Sequence, residues 1–178
     1  LADLGAEVIK VEPPDGDPVR GWGSQKDGHA VWFSVHGRNK LSVTLDLKSA
    51  EGKARALKLA ERADALVENF RPGQFERLGL GPGALHAANP RLVYLALKGF
   101  LAGPYEHRPA LDEVVQMMGG LAYMTGRPGD PLRAGSSVND IMGGMFGVIG
   151  ILSALRVREQ TGRGQLVNSA LFENNAFL

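Results

Sequence analysis

Residues Leu41–Glu68 read LSVTLDLKSAEGKARALKLAERADALVE: a strand, a helix and a second strand in one unbroken run. From Leu41 to Leu47 apolar and polar residues alternate, the period of a strand. Ser49 stands where a helix N-cap belongs, and Ala and Leu then recur at helical spacing from Ala50 to Arg62. Asp64–Glu68 (DALVE) is a short apolar run of strand length. Strands joined through a helix pair in parallel, with a right-handed crossover. The stretch therefore predicts an α/β fold, a mostly parallel sheet with flanking helices.

The same alternation extends in both directions. Glu7–Glu12 (EVIKVE) predicts a strand, with Gly5 before it as a helix stop. Pro13–Gly28 is rich in Pro, Gly and Asp and predicts a loop. Leu92–Leu97 predicts a fourth strand and Asp112–Met118 a helix ended by Gly119 and Gly120. Asn139–Arg158 predicts a long helix, and the Thr161–Gln165 turn leads to a last strand and another helix start. Ligands of such sheets bind beyond the carboxyl ends of the strands, which points to the segments after Glu12, Glu68 and Leu97. The chain opens on what reads as a helix tail and stops inside a helical pattern, so it is expected to be a piece of a longer polypeptide.

Composition narrows the chemistry. With 178 residues, 44% of them hydrophobic and 22% charged, one soluble domain with a sizeable core is expected. A net charge of +1 gives no reason to expect nucleic acid or a membrane surface as a partner. There is no cysteine, hence no disulfide framework and no thiolate chemistry. His29, His36, His86 and His107 lack metal-ligand spacing, so no metal is predicted. No G-x-S-x-G elbow marks a serine hydrolase. The longest apolar run, Ile141–Leu155, is too short and too rich in glycine to span a bilayer comfortably, and a cytoplasmic location is expected. GLGPG (Gly79–Gly83) lacks the third glycine of a dinucleotide fingerprint and follows a short helix, so it is not read as a nucleotide loop.

Three stretches carry groups suited to a site. ENFRPGQFERLGL, after the Glu68 strand, offers the Asn69 amide, the Phe70 ring and the forked guanidinium groups of Arg71 and Arg77, which suit phosphate. The same residues also make an ordinary surface loop. Around the Leu41 strand, Arg38, Lys40 and Lys48 are a second anion contact or a solvated sheet edge. In SSVNDIMGGMFGVIGILSALRVR, the lone carboxylate of Asp140 heads a long apolar helix. It either complements the helix dipole or acts as a nucleophile or proton carrier. Gly143, Gly144 and Gly147 leave room above that helix for another backbone or a ligand.

Taken together, five stretches resemble the class III CoA-transferases, the CaiB–BaiF family. They are LADLGAEVIKVEPPDGDPVRGWG, GRNKLSVTLDLKSAEGK, ADALVENFRPGQFERLGLG, NPRLVYLALKGF and IGILSALRVREQTGRGQLVNSALFE, in the family's order and over nearly the whole chain. The resemblance implies a large domain with a Rossmann-like core, a small second domain and an interlocked homodimer. Residues 1–178 would be part of the large CoA-binding and catalytic domain, with the first strand, the small domain and the C-terminal return segment outside them. It further implies transfer of CoA from an acyl-CoA thioester to a free carboxylic acid, with no tightly bound cofactor.

TGRPGDPLRAGSSVND places Asp140 where the family has its catalytic aspartate. By resemblance its carboxylate would form a mixed anhydride with the acyl group and then an aspartyl-CoA thioester. The implied CoA contacts are Leu45, Asp46, Leu47 and Lys48, then Asn69, Phe70 and Arg71, and Arg77. Formyl-CoA transferase-like members carry Arg after the first of these strands, whereas here Pro13 follows Glu12, so that contact is not carried over. The α-methylacyl-CoA racemases of the family have Gly-His-Asp where this chain has Ala110-Leu111-Asp112. Leucine in the histidine's place favours transfer over racemase-type proton transfer. Asp112 is then the N-cap of its helix or a second carboxylate near the site. A non-catalytic acyl-CoA-binding module is the alternative from another class. His107–Gly126 is expected to line the pocket, with Tyr123 shaping it and Met117, Met118 and Met124 serving core packing.

Overall fold

Glu12 ends the first strand and decides what the following loop does. In the computed structural model, which describes residues 1–178, its carboxylate is 2% exposed. Arg20 grips it with Nε at 2.7 Å and Nη2 at 2.9 Å, and Ser42 Oγ donates at 2.9 Å. The Asp17 backbone N–H donates at 3.1 Å. The segment expected as plain loop is thereby folded back on the strand, with a 3₁₀ turn at Pro18–Gly21 whose start is capped by Asp17 through Val19 N at 2.9 Å. Arg20 also lies over the Phe33 ring, 4.0 Å from its centroid.

Contacts divide the chain into two units, Leu1–Lys58 and Leu59–Leu178. In the first unit β1 (Val8–Glu12) pairs in parallel with β4 (Lys40–Thr44), in the register Val8↔Lys40 to Glu12↔Thr44. Between them lie a small antiparallel hairpin, β2 (Gln25–Lys26) and β3 (His29–Ala30), and α1 (Val31–Gly37). The composition of the segment gave no sign of α1. α2 (Ala50–Arg62) has the predicted bounds, and Ser49 Oγ caps it by accepting from Gly52 N at 3.0 Å.

In the second unit β5 (Ala65–Glu68), β6 (Val93–Lys98) and β7 (Leu166–Ala170) form a parallel sheet with β6 in the centre. The central strand is the core: Leu92 to Ala96 are at most 2% exposed. α3 (Gln74–Arg77) and α4 (Pro82–Ala88) join β5 to β6. α5 (Asp112–Met118), α6 (Leu121–Thr125) and α7 (Val138–Thr161) follow, and α8 (Leu171–Asn175) leaves β7. Gly162, left-handed at φ 71°, stops α7 as a C-terminal glycine should.

The long strands all pair in parallel, but they form two sheets, and the strands expected at 41–46 and 64–68 are not ladder partners. Each has a partner fixed by side chains instead. Ser42 on β4 bonds Glu12 on β1, and Lys98 on β6 bonds Glu68 on β5 at 2.9 Å.

By length and composition α7 would pass for a membrane span, but its buried face, Asn139, Gly143, Gly147, Ile151 and Ala154, packs inward. Glycine sets the distance. A Cβ on Gly147 would lie 2.7 Å from Leu95 Cδ2, and one on Gly150 would lie 2.6 Å from Val167 Cγ1.

The Arg20 contact lowers the Glu12 carboxyl from 4.5 to about 2, helped by Ser42, the Asp17 N–H and Lys10 against the effect of burial. A depressed carboxyl stabilises the fold above its unfolded pKa and loses that contribution as pH falls through the folded one. Glu12→Gln should destabilise the protein by about 1.5–3 kcal/mol at neutral pH, the range for charged hydrogen bonds. In denaturant titrations the gap to the unsubstituted protein should close between pH 4.5 and about 2.

Candidate active site

α7 runs against the strands it covers, and this fixes where its head lies. Near its end, Arg158 reaches the amino ends of β5 and β6, donating to Asp64 Oδ1 at 2.7 Å and Arg91 O at 3.1 Å. Near its start, Ser169 Oγ at the carboxyl end of β7 donates to Gly143 O at 3.0 Å. Asp140 therefore stands at the carboxyl edge of the three-stranded sheet, the edge where Glu68 and Lys98 end β5 and β6.

The first N–H groups of a helix need partners from outside it. Ser137 supplies no side-chain cap. Asp112 does so from α5: its Oδ1 accepts from Asn139 N at 2.8 Å and from Asp140 N at 3.3 Å. Asp112 is not the N-cap of its own helix, where it occupies the first helical position behind Leu111. It caps a different helix because the folded chain brings α5 against the head of α7. The lone acid between Asp130 and Glu159 thus has its backbone N–H held by a second, buried carboxylate.

Asp140 itself reaches solvent. Desolvation by the surrounding chain, then the charges of Asp112 and Glu113, push its carboxyl above the ordinary value, and Arg133 pulls it back. A helix N-terminus favours the ionised form; partial desolvation and the two neighbouring acids outweigh it here.

The turn after β5 is held by the strand end it leaves. Glu68, 4% exposed, accepts from Phe70 N at 2.7 Å and from Lys98 Nζ at 2.9 Å. Phe70 stacks on Phe75 at 4.9 Å, and Phe75 in turn meets Tyr94 at 6.4 Å. Tyr94 is buried, and burial, then the Glu68 and Glu76 charges, hold its proton on. Asn69, Arg71 and Arg77 are exposed, and neither arginine takes part in an ion pair. The short helix start is less open than expected, since Gln74 N already donates to Arg71 O at 2.9 Å.

In the first unit, Leu45–Lys48 is the turn between β4 and α2. Leu45 is 6% exposed, so its side chain belongs to the core there. Asp46 and Lys48 are exposed, and the turn is closed by Lys48 N donating to Asp46 Oδ1 at 2.9 Å and Ser49 Oγ donating to Asp46 O at 2.8 Å.

Two sequence expectations change. Gly143 and Gly147 do not leave room for a ligand: a Cβ on Gly143 would meet Leu171 at 3.1 Å, and Gly147 is pressed on Leu95. Only Gly144 of the three faces open space. Met117, Met118 and Met124 do not pack the core; they are 50%, 43% and 64% exposed, beside Tyr123 at 70%. The sequence reading also missed the roles of Glu68, Lys98 and Arg133. The one signal available for Glu68 was an acid ending an otherwise apolar strand just before the candidate turn.

Comparison with known proteins converges on one family. Residues 1–178 match the family described as CoA-transferase family III. Succinyl-CoA–D-citramalate CoA-transferase of Chloroflexus aurantiacus is 44% identical over 177 residues, which are 97% of this chain and 44% of that protein. Acetyl-CoA:oxalate CoA-transferase of Acetobacter aceti is 44% identical over 183 residues, covering 100% of this chain and 47% of that protein. The crystal structure of a CAIB/BAIF family protein from Brucella suis matches with a TM-score of 0.93 at 40% identity, over 99% of this chain and 48% of that one. The chain belongs to CoA-transferase family III and spans about half the length of the relatives it matches.

The Leu45–Lys48 turn depends on Gly52. A Cβ there would lie 1.9 Å from Asp46 O, a backbone atom. Gly→Ala in a helix ordinarily gains up to about 1 kcal/mol. Here Gly52→Ala should instead destabilise the fold by the ~1–3 kcal/mol of an overpacked site and so lower the melting temperature. A rise in melting temperature would show that the turn yields freely.

Proposed function

We propose that the protein transfers CoA from an acyl-CoA thioester to a free carboxylic acid, with Asp140 as the nucleophile. The observation that carries this reading is the exposed carboxylate at the head of a rigid helix on the carboxyl edge of a parallel sheet. An oxygen of Asp140 attacks the thioester carbonyl, the C–S bond breaks, and CoA leaves as the thiolate. The thiolate attacks the Asp140 carbonyl carbon of the mixed anhydride and expels the donor acid, leaving aspartyl-CoA. The acceptor carboxylate attacks that carbon, CoA thiolate leaves again, and its attack on the acceptor's carbonyl restores the Asp140 carboxylate. Each bond formed displaces one, and no net proton is consumed. Covalent relay of this kind divides one hard transfer into easier steps.

In the second unit Asn69, Phe70, Arg71 and Arg77 are assigned to CoA, and in the first unit Leu45–Lys48 is by itself a candidate contact. The freedom of Arg71 and Arg77 from ion pairs supports their availability to phosphate. For the acids we propose short dicarboxylates, supported by relatives named for citramalate, malate and oxalate. An interlocked homodimer fits the apolar side chains left in the open on α7: Ile141, Met145, Ile149 and Leu152 are each more than half exposed.

Asp140→Asn should abolish transfer and the covalent CoA adduct seen by intact mass after acyl-CoA incubation, with melting temperature and CoA binding nearly unchanged. Were Asp140 only a dipole partner, transfer would survive and stability would fall by about 0.3–1 kcal/mol. Arg77→Ala should raise KM for acyl-CoA roughly tenfold or more at constant kcat, as the loss of a charge-assisted phosphate contact requires. An unchanged KM would return Arg77 to the solvated surface.

A further inference from the structure

The carboxylate that this reaction leaves unused is Asp112, 3% exposed. It opens α5, and its two oxygens serve different partners. Oδ1 takes the Asn139 and Asp140 N–H groups at 2.8 and 3.3 Å. Oδ2 takes Gln116 Nε2 and faces Arg133 Nη2 at 3.7 Å. Gln116 is fully buried and holds the same approach to α7: its Nε2 donates to Ser136 O at 3.2 Å and its Oε1 accepts from Ala134 N at 2.7 Å. One face of α5, residues 112 and 116, thus fastens the whole segment from Ala134 to Asp140.

Resting on the reading of Asp140 as nucleophile, we propose that Asp112 is a positioning residue for CoA transfer: it caps α7 in place of the missing Ser137 side-chain cap, fixes the backbone from which Asp140 attacks, and keeps a negative charge behind the nucleophile. A cap from the helix's own chain could sway with the 133–137 loop. A cap from α5 ties the nucleophile's backbone to a separate element. The charged groups that act on Asp140 are Asp112 and Glu113 from α5 and Arg133 from the loop. The two acids make its carboxylate more basic, hence a stronger nucleophile, and Arg133 opposes them.

Removing either kind of neighbour should move Asp140's titration in opposite senses. The test is the acid limb of kcat/KM against pH, with melting temperature and adduct mass, for the enzyme and three variants. Asp112→Asn keeps an oxygen acceptor for the two N–H groups but loses the charge, so the acid limb should shift to lower pH and kcat should fall. Arg133→Gln should shift the limb to higher pH. Asp112→Ala removes the cap and should lower kcat by ~100-fold, the effect of a misplaced reacting group, with KM for acyl-CoA within roughly twofold. Because Asp112→Asn sets an amide against the Gln116 amide, it can fail to fold; the split between kcat and KM in Asp112→Ala then decides. Limbs that stay in place, with losses confined to melting temperature, would overturn the proposal and leave Asp112 a structural cap. A wild-type enzyme that forms no CoA adduct would instead overturn the reading of Asp140 on which it rests.

Discussion

The close approach of α7 to the sheet is the constraint on which the second unit depends. The helix is apolar nearly all round, so hydrophobicity alone does not choose which face turns inward. Glycine does. Gly143, Gly147 and Gly150 let the helix backbone meet Leu171, Leu95 and Val167 where any Cβ would crowd them. Once that face is seated, the direction of the helix carries its head to the carboxyl edge of β5, β6 and β7. Asp140 is placed by the same contact that builds the core.

Both units solve the problem of the strand end in one way. Glu12 closes β1 and Glu68 closes β5; each is almost fully buried, each meets a cation, and each accepts a backbone N–H from the segment that follows. A buried ion pair contributes little net stability once desolvation is counted. Its value here is directional. A carboxylate has enough lone pairs to hold a cation and a turn at once, so it can set the path of a loop that has little apolar surface of its own. In the first unit that loop is Pro13–Gly21; in the second it is the Asn69–Arg71 turn.

Periodicity made most elements legible. The α2 and α5 spans and the strands near 8–12, 65–68 and 93–98 follow from apolar spacing and glycine stops. What the sequence could not display was pairing across distance. Spacing suggested that the strands flanking α2 share a sheet, yet Ser42 and Lys98 assign them to different partners. The glycines of α7 were visible, but not which face they serve, because a small residue next to a backbone and one next to a ligand look alike in a string. Asp140 stood out as the only acid between Asp130 and Glu159. Asp112 sits 28 residues upstream and its role became visible only when α5 met α7.

That pairing bears on how a carboxylate can serve as a nucleophile at all. A free aspartate is a weak base, and its weakness is the reason it is always ionised at neutral pH. Neighbouring negative charge raises basicity and lowers the ionised fraction together. At Asp140 desolvation, then Asp112 and Glu113, push toward greater basicity, and Arg133 opposes them. Burial of Asp112 matters for the same reason, since a charge held in low dielectric is screened less than one at the surface. The cap and a charged neighbour are one side chain, so Asp112 acts both on the backbone position of Asp140 and on the basicity of its carboxylate.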